Sequence, residues 1–157
     1  MKYYSRIHFL VILIYVLVIM TLGCVSTPQA LVPSSSQVIG LAVIPQNEAA
    51  EKALGRKQPL IVLDHQKQDA LFSVLEINKD NAPVSSVDFV SHDFIVKWKI
   101  RNENTLDRSQ LFLRLNNPCT FIYESDLGGT TKKYVIKVDT DDAKIVWNAI
   151  GVSPTGL

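Results

Sequence analysis

The stretch from residue 93 to residue 102 reads DFIVKWKIRN, and its alternation constrains the chain more than any other feature. Phe94, Val96, Trp98 and Ile100 fall on one face of an extended chain, with Lys97, Lys99 and Arg101 on the other. A period of two with this polarity predicts a strand that buries one face and wets the other, which is the habit of antiparallel sheets. Such a strand needs neighbours, and the rest of the chain supplies candidates. VIGLAVIP (38–45) is a β-branched run stopped by Pro45, and LIVLD (60–64) is a second. Val87 and Phe89 suggest another, broken near Ser91 and His92. Leu111, Leu113 and Leu115 share a face, with Phe112 and Arg114 opposite, and the polar segment from Asn102 to Ser109 leads into them. TFIYES (120–125) and KKYVIKVD (132–139) flank DLGGTT, where Gly128 and Gly129 permit positive φ, so residues 120–139 read as a hairpin.

Two segments are less direct. In DALFSVLEIN (69–78), Leu71, Ser73, Leu75 and Ile77 alternate with Phe72, Val74 and Glu76, while Ala70, Leu71, Val74 and Leu75 would also form a helical stripe. The strand neighbours favour a strand here. After the acidic turn DTDD (139–142), AKIVWNAI (143–150) reads as a last strand. One short helix is expected over EAAEKALGRK (48–57), where Asn47 can cap and Gly55 can terminate. About eight short strands at spacings of about 8–12 residues predict an all-β domain, an antiparallel β-sandwich of immunoglobulin-like pattern without the cysteine pair of antibody domains. Trp98 and Trp147 are natural core pieces. The alternative is an α+β arrangement with the 47–57 helix packed on one sheet.

The chain's 157 residues suit one domain plus a targeting segment. Lys2 and Arg6 precede Phe9–Gly23, fifteen residues without a charge. A basic start, an apolar core and a small-residue exit form the three-part pattern of a secretory signal. A spanning helix needs about 20 apolar residues, so this run is short for an anchor. Its last four residues, Thr21, Leu22, Gly23 and Cys24 (TLGC), resemble the lipobox of bacterial and some archaeal lipoproteins. That resemblance implies a diacylglyceryl group on the Cys24 thiol and cleavage that leaves Cys24 first. Gly23 suits the peptidase, while Thr21 stands where the family prefers an aliphatic residue. An ordinary signal peptide, or an anchor helix with an incidental cysteine, is the competing reading.

The segment after the cysteine fits an anchor. VSTPQALVPSSS (25–36) carries no charge and is rich in Ser, Pro and Thr, the composition of a tether. The expected organisation is therefore a leader over 1–23, a tether over 24–36 and a β-sandwich domain over 37–157. Acyl chains contribute about 0.8 kcal/mol per buried CH₂, and two or three of them would make attachment durable. Val25 is not Asp, which within this resemblance points to the outer membrane where a cell has one. Beyond the leader, fourteen basic residues meet fifteen acidic ones. That balance excludes the strong basic excess of a nucleic-acid binder.

Candidate chemistry is sparse. Cys119, the second cysteine, lies between a turn signal and an apolar run and reads as a small buried hydrophobe. Asp64-His65 and His92-Asp93 are sequential pairs whose side chains would point to opposite faces of a strand, so neither forms an acid/base couple. Asp139, Asp141 and Asp142 are weak candidates for a calcium site, lacking the later Glu of a complete loop. No cofactor is implied. The sequence thus predicts a lipid-anchored, non-enzymatic protein on the extracytoplasmic side of the cell envelope, with an envelope protein as partner. A small-ligand or metal-binding lipoprotein is the alternative.

Overall fold

The computed structural model describes residues 32–79, 82–85, 91–100, 109–127, 130–154 and 157. The leader, Cys24, the strand expected around Val87 and Phe89, most of the 102–109 connection, and Gly128 and Gly129 lie outside the described residues.

The elements run β1 (Val38–Pro45), α1 (Glu48–Leu54), β2 (Leu60–Val62), α2 (His65–Asn78), β3 (Phe94–Ile100), β4 (Gln110–Leu113), β5 (Thr120–Leu127), β6 (Thr130–Lys137) and α3 (Thr140–Ala149). All six strands join one sheet in the order β2-β1-β3-β4-β5-β6, antiparallel at every step. The alternation of β3 is as the sequence predicts: Phe94, Val96 and Trp98 are buried, and Lys97 and Lys99 are exposed. Register then aligns Leu41 with Trp98, Val43 and Leu111 with Val96, and Leu113 with Phe94, so one face of the sheet becomes continuous core. Continuing past the Lys97–Gln110 pair by one step sets buried Ser109 opposite Trp98. The Trp98 indole stacks on Tyr123 of β5, with centroids 5.9 Å apart and planes 5° from parallel.

The layer over this inner face is helical. Residues 69–78, expected as a strand, belong to α2, and residues 143–150, expected as the last strand, fall mostly in α3. The physical reason lies at the helix starts. Asp64 accepts from the amides of Gln66 (2.9 Å) and Lys67 (3.4 Å), and Asp139 accepts from the amide of Asp142 (2.8 Å). Each satisfies orphan donors of a first turn and fixes helical phase before the ambiguous apolar run begins. Leu71, Phe72, Val74 and Leu75 of α2 then meet Ala143, Val146, Trp147 and Ile150 in a single core. Phe72 packs edge-on against Trp98 (5.3 Å), and Trp147 packs edge-on against Phe94 (5.9 Å). Among the described residues there are six strands and three α-helices rather than eight strands and one. The antiparallel, β-rich character is as expected, and the α+β alternative describes the layering, with α2 and α3 in the role given to the 47–57 helix.

That first helix forms where the sequence places it. Asn47 accepts from the Ala50 amide at 2.8 Å, and Gly55 closes the helix at φ 71°. The Ser-rich stretch before β1 carries a 3-10 turn over Ser35–Gln37, and Val32 packs against the core. At the far edge of the sheet, residues 83–85 lie along β6, with the Ser85 amide donating to Lys133 O and the Val135 amide to Pro83 O. Among the described residues no helix is long and apolar enough to cross a membrane.

Candidate functional site

Two concave surfaces stand out, one on each side of the sheet. On the outer face, β1 presents Gly40 and Ala42 between the flanking strands, because Leu41 and Val43 are turned into the core. The register sets Ala42 beside Ile61 of β2 and Lys97 of β3, and Gly40 beside Lys99. Small residues on the middle strand and large ones on both neighbours make a trough of about 320 Å³ along β1. Its β2 wall is Ile61 and Leu63, which are 57% and 67% exposed. Its β3 wall is Lys97 and Lys99, and apart from them the lining is apolar. Gly40 matters to the shape: a Cβ there would stand 3.3 Å from Leu63 Cδ2, so the bare backbone lets Leu63 lie across β1.

The second surface is a cleft of about 430 Å³ where the 32–35 segment meets α2. Val32 and Phe72 form its apolar floor, Ser34, Ser35 and Ser73 bring hydroxyls, and Ile77 stands 71% exposed at its rim beside Glu76. Glu76 is ion-paired with Lys79. Under the sheet edge, Gln68 is buried on α2 and its Nε2 donates to Val62 O at 3.0 Å. Its Oε1 is buried with no hydrogen-bond partner among the described residues.

The residues singled out by sequence sit elsewhere, mostly in structural bonds. Asp139 is the cap of α3, Asp141 pairs with Lys144 (3.3 Å), and Asp142 accepts from Asn78 Nδ2 (3.3 Å). Carboxylates at the head of a helix are favoured by its dipole, which accounts for the cluster without a cation. Among the described residues no group of three His, Cys, Asp or Glu side chains is placed to hold a metal ion. Asp64 is likewise a cap, and His65 opens α2 as an exposed residue. Asp93 accepts from Asn47 Nδ2 at 2.7 Å and from the Leu115 amide at 2.6 Å. His92 packs edge-on against Phe112, 4.7 Å between centroids. Burial holds its imidazole below the ordinary value; the Asp93 carboxylate opposes the shift, and Arg114 and Lys133 add to it. Cys119 is a half-buried free thiol whose carbonyl accepts from the Val138 amide at 3.0 Å.

Compared with known proteins, the chain matches no family model, no curated protein and no solved structure. The site therefore rests on its own geometry. Neither concave surface is legible in the sequence, though the trough leaves a trace there. Ile61 and Leu63 alternate with Val62 in LIVLD, so both faces of that strand read as apolar. A strand that is apolar on both faces at the edge of a half-wet sheet marks a surface awaiting cover.

Proposed function

We propose that this is a lipid-anchored, non-enzymatic protein of the cell envelope, attached through Cys24 with its domain on the extracytoplasmic side, and that it works by engaging a protein partner. The observation that carries the interaction reading is the cleft at α2, where Ile77 is 71% exposed over a floor of Val32 and Phe72. Such a cleft takes an apolar anchor from a partner, while the three serine hydroxyls and Glu76 supply the polar rim that protein interfaces use. Strand addition is less favoured, because β2 offers a free edge of only three residues and β6 is partly lined by residues 83–85. The carboxylates of Asp64 and Asp93 serve as a helix cap and a clamp between loops.

The attachment is tested by the intact mass of the membrane-extracted protein. Loss of residues 1–23 together with the added mass of acyl chains is expected, and an unmodified full-length chain would refute it. The interaction is tested by a photoactivatable crosslinker at Ser73, an exposed residue of the same cleft, in cells. One discrete adduct that disappears with Phe72→Ala or Ile77→Glu is expected; an adduct pattern unchanged by both would refute it. A small-ligand reading is second, favoured by a cleft volume inside the range of about 300–1,000 Å³ typical of ligand pockets. A ligand in that cleft would raise the melting temperature, whereas a protein partner alone leaves it unmoved in the isolated chain.

A further inference from the structure

We infer that the outer face of the sheet, centred on the trough between β2 and β3, docks on a bilayer surface carrying anionic headgroups. Three features of that face identify the occupant. Its apolar part is a raised pair, Ile61 and Leu63, rather than an enclosed cavity, so it suits insertion into a soft apolar boundary. Its charged part is mostly of one sign. Lys97, Lys99, Lys133 and Lys137 all occupy outward positions by register; against them the described acidic side chains are Glu124, paired with Lys133 at 3.6 Å, and Asp93 just before β3, which is bonded to Asn47 and the Leu115 amide. Lys97 and Lys99 have no ion-pair partner among the described residues and flank the apolar pair across β1.

The opposite layer carries the complementary sign. With their caps, α2 and α3 hold Asp64, Asp69, Glu76, Asp139, Asp141 and Asp142 against Lys67, Lys79 and Lys144. An anionic surface would attract the sheet face and repel the helical face, which orients the domain as well as binding it. This docking rests on the membrane-tethered reading above for its strength. Seven residues lie between Cys24 and Val32, and the eight steps from one to the other reach at most about 28 Å, enough to pass the two-layer thickness of the domain. At such a tether length even a weak surface contact is populated through effective concentration. With the sheet on the membrane, the α2 cleft faces outward and remains open to a protein partner.

The test uses the full chain, purified from membranes and reconstituted into vesicles of phosphatidylcholine alone or mixed with phosphatidylglycerol, both containing brominated acyl chains. Ile61→Trp reports the sheet face and Ile77→Trp the helical face, against Trp98 and Trp147, which are buried. Quenching of Ile61→Trp in the anionic vesicles, and not of Ile77→Trp, is expected. Adding Lys97→Gln and Lys99→Gln should weaken docking roughly thirty-fold, at about a factor of five per lysine near an anionic surface, and high salt should act in the same direction. Equal quenching at both positions, or quenching indifferent to headgroup charge and to the two lysines, overturns the proposal. So does a blue shift of Ile61→Trp without quenching, which would mean that a protein covers the face. Chain that remains in the vesicles while Ile61→Trp is unquenched rejects docking and leaves the anchor standing. Chain that fails to partition rejects the anchor, and flotation of that same chain with added anionic vesicles then decides the docking alone.

Discussion

Asp93 ties together three parts of the chain, and its removal should reveal how the β1–α1 connection is held. Its Oδ1 accepts from Asn47 Nδ2 (2.7 Å), its Oδ2 accepts from the Leu115 amide beyond β4 (2.6 Å), and its backbone pairs with Gln46 and Leu113. Asn47 in turn accepts from the Ala50 amide, so one side chain both caps α1 and reaches the carboxylate. Replacing Asn47 with Ala removes a cap worth about 1 kcal/mol and a charge-assisted bond worth about another, screened because the pair is exposed. Asp93→Ala deletes that same bond and leaves the part-buried Leu115 amide unpaired, for a total of about 2–3 kcal/mol. The two losses share one contact, so the double variant should fall short of their sum by about 1 kcal/mol. Asn47→Asp makes the sharper case. Aspartate is ordinarily as good a cap as asparagine, yet here it would set a second carboxylate against Asp93 and should destabilise by about 1 kcal/mol or more. Urea unfolding of the four variants, followed by circular dichroism with m held constant, gives each value. Strict additivity, or an Asn47→Asp variant as stable as the parent, would refute the clamp.

The packing, a helix cap and the burial of His92 set three further outcomes. Trp147→Ala should cost about 3–5 kcal/mol, since a fully buried ring against Phe94 is lost. Trp147→Phe should cost far less, mainly the Nε1–H bond to Pro118 O, and urea midpoints would rank the two. Asp139→Ala should cost about 1 kcal/mol, whereas Asp139→Asn should cost little, because the cap at Asp142 N and not a bound cation is what the side chain provides; a calcium-dependent melting shift lost in Asp139→Asn would contradict this. His92, held below its ordinary value by burial in the folded chain, binds its proton more readily when unfolded. Its contribution is therefore complete above the unfolded value of about 6.5 and is lost as the pH falls through it, levelling off once the folded imidazole also titrates. His92→Asn should flatten the stability profile between about pH 7 and pH 5, and an unchanged slope would assign that dependence to other groups.

The sheet was the legible part of the sequence. β3, β4 and the β5–β6 hairpin emerge from alternation alone, because each buries one face and wets the other. The helices over the sheet escape the same reading for a common reason. In α3 and its C-cap, Val146, Trp147 and Ile150 follow Ala143 by three, four and seven residues, a helical stripe hidden inside a β-branched run. The deciding cue stands just upstream, where Asp139 precedes two acidic residues as a helix start rather than a loop of potential ligands. Asp64 carries the same message for α2. Periodicity over eight to ten residues cannot separate the two states; a cap with a satisfied amide can. The candidate surfaces were less legible still, since the trough needs Gly40 of β1 brought under Leu63, a contact made only by strand pairing.

The division of charge between the two layers has a local origin, and this limits what it can be asked to explain. Aspartates gather on α2 and α3 because helix N-termini favour caps and negative charge, and lysines gather on the sheet because the wet face of β3 and β6 must be polar. A two-layer fold of this kind becomes dipolar with no partner to select for it, even when its total charge is close to balance. Ile61 and Leu63 are different. Neither helps to fill the inner core, both lie more than half exposed, and polar residues at these positions would serve β2 as an edge strand equally well. The pair is thus the part of the outer face that folding does not require, and its position across β1 from Lys97 and Lys99, which have no ion-pair partner among the described residues, is what would turn an incidental dipole into a surface with a preferred partner.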